Sequence, residues 1–335
     1  MKKNLILFLV GVLFGSVPLL LYFGRKNQSE SSKTVLSDYR EIRETGHRYI
    51  EPLLECDADI MSPRLQALDT EITTKMEQLH LRDATNVYYR NLRTGLWLGI
   101  NENEKIAPAS LSKVLILLAV YKKSEEYPAL LDEEFLYANQ FLFARNLDTE
   151  EYKDMVLENG KKYTVSDLVA RMIKYSDNES ASSLQYILNK HYPDFLQSFE
   201  QQTHMEFDGE ISLKDYSNMF RMLYNASYIN RVNSEKALSL LTQSQYKMGL
   251  VAGIPNEIEV ASKFGYYDPP PEAHEKFRFN QCQIVFHPEN PYLLCVSSAS
   301  ESLPELRSAI PQLEQLSKHI YEWVNAHPVE VPPTK

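Results

Sequence analysis

Cysteine is scarce in this chain of 335 residues, with Cys56, Cys282 and Cys295 its only three. They are too few and too scattered for a disulfide scaffold, and none stands in the CxxC or Cys/His spacing of a zinc site. Metal chemistry is therefore not expected, and no cofactor is. The three read as small buried hydrophobes. A hairpin that sets Cys282 almost opposite Cys295 is expected to hold both as free thiols, because cross-strand geometry often strains the sulfur atoms. Clustered positive charge is missing too. The formal net charge is -10 and no dense stripe of Lys and Arg is present, which argues against a nucleic-acid partner, since affinity for a phosphate backbone comes from such clusters. No internal repeat is found.

What is present can bury a core: 44% of the residues are hydrophobic and 24% charged, enough for one large domain or two modest ones. An almost uninterrupted apolar run, Leu5 to Phe23, follows Lys2 and Lys3 and ends at Arg25 and Lys26. Its length suits one bilayer-crossing helix. Leu19 to Phe23 continue past Pro18, where a cleavable signal would have a shorter apolar region and a small-residue cleavage site. An uncleaved anchor in the cytoplasmic membrane is the expectation, with secretion after signal cleavage as the alternative. Residues 1–26 are read as the anchor, 27–60 as a tether with a helical extension, 61–327 as a globular domain, and 328–335 as a tail. A monomer is expected.

Apolar residues recur at helical spacing through Leu36, Tyr39, Ile42, Tyr49, Leu53 and Leu54, and again from Leu65 to Leu79, predicting two N-terminal helices. Asn86 to Ile100 reads as a hairpin around Arg93-Thr94-Gly95. Ser110 to Tyr121 is apolar on nearly every side, the mark of a helix buried all round. A mostly helical stretch runs on to Gln243 and includes Val165 to Lys174 and Ala181 to Leu188. Strands return at Ile258–Phe264, Gln281–Phe286 and Tyr292–Ser298, and a helix from Leu306 to Asn325 follows. This order predicts an α+β fold. One antiparallel sheet is assembled from both chain ends and flanked by helices, with an all-helical lobe inserted between.

Ser110-Leu111-Ser112-Lys113 sets a hydroxyl and an amine three residues apart, on one face of a helix. The bare pattern is expected about once by chance in such a chain, and Ser244-Gln245-Tyr246-Lys247 is a second match. Context separates them. Ser110 opens the buried helix after Pro108, at the positive end of its dipole, and Lys113 falls where desolvation lowers an amine's pKa. The pair at Ser244 has no such surroundings and reads as a decoy. Ser176-Asp177-Asn178 follows one amphipathic helix and precedes another, where Ser176 or Asp177 could equally cap the second. Lys263-Phe264-Gly265 ends a predicted strand.

In this order, on a helix start, an interhelical loop and a strand, the three match the Ser-x-x-Lys, Ser-Asp-Asn and Lys-Thr-Gly triplet. From Leu65 to Asn325 the sequence resembles the class A β-lactamases and penicillin-binding proteins. The resemblance implies a serine hydrolase acting on β-lactams or D-alanyl peptidoglycan peptides outside the cytoplasmic membrane. Ser110 would attack the carbonyl, Lys113 would take its proton, and Ser176 would relay a proton to the leaving nitrogen. Asn178 would hold the substrate's amide side chain and Lys263 would supply positive charge. The amides of Ser110 and Tyr266, the latter placed by Gly265 before it, would form the oxyanion hole.

Two departures bear on substrate and turnover. Phe264 replaces the usual Thr or Ser, removing a hydroxyl that would bind a substrate carboxylate; Arg278, Tyr266 or Tyr267 could compensate. The deacylation glutamate of class A β-lactamases, in its Glu-Pro-x-Leu-Asn context, is absent between Asn178 and Lys263, where Glu200, Glu206 and Glu210 read as surface residues. A penicillin-binding, DD-peptidase-like enzyme with slow deacylation is therefore one alternative. A non-catalytic binding protein that keeps the fold is another, against which stands the retained buried lysine.

Overall fold

The computed structural model describes residues 41–44, 46–56, 66–142, 156–205 and 209–328. The expected anchor at Leu5–Phe23 and the tether at Asn27–Lys33 lie outside the described residues. Among those residues no helix is long and apolar enough to cross a membrane. The chain divides into two units, residues 1–40 with 56–60 and residues 41–55 with 61–335, and the described residues, Cys56 apart, all belong to the second.

Where helical spacing predicts a first helix, the described part forms two short paired strands, β1 (Glu41–Arg43) and β2 (Leu53–Cys56). Contacts distant in sequence override the local period there. The Arg43 guanidinium donates to the Glu51 carbonyl and to Asn225 Oδ1, both at 2.8 Å, and the Glu51 amide donates to the Tyr224 carbonyl at 3.0 Å. The second predicted helix is present as α1 (Gln66–Gln78), which buries Leu68, Ile72 and Met76 at four-residue spacing.

The hairpin of β3 (Thr85–Asn91) and β4 (Trp97–Ile100) turns where expected. Asn91 Oδ1 accepts from the amides of Arg93 and Thr94 at 3.0 and 2.9 Å, and Gly95 takes a positive φ of 71°, which other residues adopt at a cost. After β5 (Lys105–Ile106), a 3₁₀ turn at Ala109–Ser112 leads into α2 (Lys113–Glu126). Every side chain from Lys113 to Tyr121 is buried, as an all-round apolar helix requires.

The middle of the chain is not wholly helical. β6 (Glu134–Leu136) and β7 (Lys162–Thr164) pair antiparallel ahead of α3 (Val165–Lys174), whose start is fixed by reciprocal capping between Thr164 and Asp167. Then come α4 (Asn178–His191), α5 (Phe195–Thr203), β8 (Ile211–Ser212), which pairs with β5, α6 (Leu213–Tyr224) and α7 (Arg231–Thr242). β9 (Val260–Tyr267), β10 (Phe277–Val285), β11 (Tyr292–Ser300), α8 (Leu303–Ser308) and α9 (Ile310–Ala326) complete the described elements.

One antiparallel sheet runs in the order β4-β3-β11-β10-β9, built from both ends of the chain. Period-2 alternation divides its side chains between two apolar clusters. Val87, Tyr89, Leu98 and Phe279 pack with residues of α1 and α9, while Tyr88, Cys282, Leu293 and Cys295 pack with α2, α3, α6 and α7. β9 is an edge strand, and it runs past the Ala109–Ser112 turn.

The expectation of free thiols at Cys282 and Cys295 is corrected: the two are joined by a disulfide. They are direct partners across β10 and β11 with Cα atoms 4.1 Å apart, so opposed positions of the ladder already bring the sulfurs together.

Candidate active site

Ser110 sits in the 3₁₀ turn, preceded by Ala109 at a φ of 50°, a backbone conformation an L-residue adopts only when its surroundings demand it. The Leu111 amide donates to the Pro108 carbonyl at 3.0 Å and closes this turn. One helical turn on, Lys113 sends its amine back beneath Ser110. Nζ donates to Ser110 Oγ at 2.8 Å, to the Ser176 carbonyl at 2.6 Å, to Ser176 Oγ at 3.1 Å and to Asn178 Oδ1.

Those partners arrive because the loop between α3 and α4 divides its labour. Asp177 caps α4, its carboxylate accepting from the amides of Glu179 and Ser180 at 3.1 and 3.3 Å. Ser176, at a φ of 57°, and Asn178 therefore flank a fixed cap and both meet the Lys113 amine. The capping reading and the chemical reading of Ser-Asp-Asn hold together, on different residues. Behind Asn178, Glu179 is buried and accepts from the buried Tyr137 hydroxyl.

Lys263 reaches the same cluster from β9. Its Nζ donates to Ser176 Oγ at 2.8 Å and to the Phe264 carbonyl at 2.7 Å, so Ser176 Oγ accepts from two lysines. Gly265 permits the close approach of strand and turn: a Cβ there would stand 2.7 Å from the Ser110 amide nitrogen. Tyr266 follows it in the strand, but its side chain lies across the sheet, where its hydroxyl is 3.0 Å from that of Tyr246.

Burial governs the electrostatics. Desolvation lowers the Lys113 pKa to about 7, against a smaller upward pull from Asp177. Burial also pushes Lys263 well below its ordinary value, and the nearby Lys113 adds to the effect. An amine near half deprotonation at neutral pH, 2.8 Å from a hydroxyl oxygen, can serve as that hydroxyl's base.

The structure thus brings Ser110, Lys113, Ser176, Asn178, Lys263 and Gly265 together. Arg278 is not free to compensate for Phe264, since its Nη2 is 2.9 Å from the Glu104 carboxylate. Sequence reasoning missed that pairing and missed Asn280, buried opposite Gly265, whose Nδ2 donates to the Ala107 carbonyl at 2.9 Å. Strand alternation carries the signal for Asn280, two positions from Arg278 on the same face. Glu200 is half-buried on α5, Glu210 is exposed just before β8, and Glu206 lies outside the described residues. The hydrogen-bond partners described for Ser110, Lys113 and Ser176 include no glutamate. The decoy Ser244 is buried while Lys247 is exposed beside a cleft of about 430 Å³ lined also by Tyr49, Ile254 and Glu259.

The fold has known counterparts. The structure of PBP-A matches with a TM-score of 0.64 and 16% identity, covering 80% of this chain and 99% of that one. An ancestral class A β-lactamase (GNCA) matches at 0.63 and 18% identity, covering 75% and 99%. A β-lactamase from Chitinophaga pinensis matches at 0.62 and 16%, covering 76% and 100%. No curated protein matches the sequence. The model of the Beta-lactamase enzyme family matches residues 67–324, from α1 into α9, and the chain therefore belongs to that family of serine hydrolases, with a fold of the class A β-lactamase and penicillin-binding type.

Proposed function

We propose that this enzyme is a membrane-anchored acyl-transfer hydrolase whose Ser110 is acylated by β-lactam or D-alanyl peptide donors outside the cytoplasmic membrane. One observation carries the reading: a buried Lys113 amine with a pKa near 7, 2.8 Å from Ser110 Oγ. Neutral Lys113 takes the Ser110 proton as Oγ bonds to the carbonyl carbon. The negative charge that develops on the carbonyl oxygen meets the amides of Ser110 and Tyr266. As the C–N bond breaks, the leaving nitrogen receives a proton through Ser176 Oγ, which Lys113 and Lys263 hold between them. Asn178 orients the acyl side chain. Water then cleaves the ester and returns Ser110.

The extracytoplasmic location draws on the Leu5–Phe23 run and on the disulfide, since such bonds persist in oxidising compartments. A PBP-A variant of the same fold has been solved as an acyl-enzyme complex with penicillin G, which supports acylation by a β-lactam here. The test is labelling with a fluorescent penicillin. Label on membrane-bound wild type and none on Ser110→Ala is expected; label retained by Ser110→Ala would refute the nucleophile, and soluble mature protein starting after Pro18 would refute the anchor.

A further inference from the structure

Resting on that reading of Ser110, a closer inference concerns the charge of the substrate. A carboxylate beside the scissile bond needs donors along the strand edge that carries Gly265, and among the described residues the side chains of that edge that could supply one are engaged elsewhere or chemically unsuited. Phe264 has no hydroxyl. Its ring stacks on Tyr246 with centroids 3.8 Å apart and lies 4.6 Å from the Lys263 amine. Lys263 is fully buried, its amine turned to Ser176 Oγ and the Phe264 carbonyl. Arg278, two register pairs beyond Gly265, is bound to Glu104 at 2.9 Å, with Ser297 Oγ 3.5 Å from its other terminal nitrogen.

The group directly opposite Gly265 is Asn280. It is uncharged, its Nδ2 is committed to the Ala107 carbonyl, and its buried Oδ1 has no partner. That oxygen can only accept a hydrogen bond, the opposite of what a carboxylate asks. Negative charge also gathers at this end of β9. Tyr267, the register partner of Arg278, donates to the Glu275 carboxylate and lies within electrostatic reach of Glu210, while Glu104 faces Arg278. A neutral substrate meets none of this repulsion.

We propose that the site selects acyl donors whose leaving side bears no free carboxylate, as in an internal or amidated peptide bond, and that Phe264, Asn280 and the Arg278–Glu104 pair set this preference. The chemistry is unchanged by it. Oγ–C forms, C–N breaks, and the Ser110 proton ends on the leaving nitrogen.

The experiment compares second-order acylation of Ser110 by benzylpenicillin and by its methyl ester, read by intact mass and substrate loss. Wild type, Glu104→Gln and Phe264→Thr are measured side by side. In the wild type the ester is expected to react as fast as the acid or faster. Glu104→Gln frees the Arg278 guanidinium and Phe264→Thr restores a hydroxyl, so each should move the ratio about tenfold toward the acid, the size of one hydrogen bond to a charged group. The exposed Glu104 keeps the test open if Phe264→Thr misfolds. A wild type that favours the acid tenfold or more overturns the preference and leaves the serine hydrolase reading standing. Ratios unchanged in both variants overturn the assignment to these residues. No adduct from either compound on folded protein overturns the hydrolase reading and this inference with it.

Discussion

The Lys113 amine has four oxygen neighbours and at most three protons, so one neighbour must give rather than take when the amine is neutral, and Ser110 and Ser176 Oγ are the ones with a proton to give. This geometry makes acylation depend on the deprotonated fraction. With a pKa near 7, the acylation rate should climb about tenfold per pH unit well below neutrality and level off above it. A stopped-flow pH profile from 5 to 9 checks this, and a flat profile would remove Lys113 as the base. Lys113→Ala should lower the plateau by about 100-fold or more. The lysine was legible in the sequence because its neighbours Val114 to Val120 are all apolar. The engagement of Arg278 was not, since Glu104 lies far away in the chain and only the fold brings them together.

At the scale of elements, the α3–α4 loop couples a helix cap to the Lys113 amine. Asp177 both holds the first turn of α4 and pulls the Lys113 pKa upward against desolvation. Asp177→Asn separates these effects, because asparagine caps as well as aspartate but carries no charge. The midpoint of the acylation pH profile should fall below the wild-type value with little loss of thermal stability; a midpoint that stays or rises would contradict the coupling. Asp177→Ala should fall likewise in midpoint and lose about 1 kcal/mol besides. The strand pair β10–β11 makes a second element-scale prediction. Its disulfide closes a 13-residue separation, and its removal by Cys282→Ser with Cys295→Ser should cost about 3 kcal/mol in denaturant unfolding. Alkylation of the unfolded chain should add at most one group without reductant and three with it. The hairpin was readable from its strand formers and turn, and the opposition of the two cysteines with it. Bond formation depends on the closeness of two Cα atoms, which no spacing rule supplies. β1 and β2 were misread as helix for a related reason: Arg43 and Glu51 find their partners at Asn225 and Tyr224, far along the chain.

For the whole molecule, the candidate site exists only where three separate stretches meet: the turn before α2, the loop between two lobe helices, and the edge strand β9. Order of motifs along the chain revealed this assembly because each motif sits on the element type its chemistry needs. What the order could not reveal is which groups point at the acyl carbon from the far side. Acylation requires nucleophile, base and oxyanion donors, whereas deacylation requires a base aimed at a water on the ester. Among the described residues Ser110 Oγ meets the Lys113 amine of α2, that amine meets Ser176 and Asn178 of the α3–α4 loop, and Ser176 Oγ meets Lys263 of β9; no carboxylate is among these partners. Asp177, the nearest acid in the loop, is committed to its cap. On the proposed mechanism Lys113 would then activate the hydrolytic water as well as the Ser110 hydroxyl, from a position set for the Ser110 proton. A β-lactam should therefore give a burst equal to the enzyme concentration followed by a stable adduct on Ser110, visible by intact mass for many minutes. Ser110→Ala should show neither burst nor adduct. Steady turnover without a detectable acyl-enzyme would defeat this account and direct mutagenesis to Glu200, Glu206 and Glu210, of which the first belongs to α5 and the other two follow it in the sequence before β8.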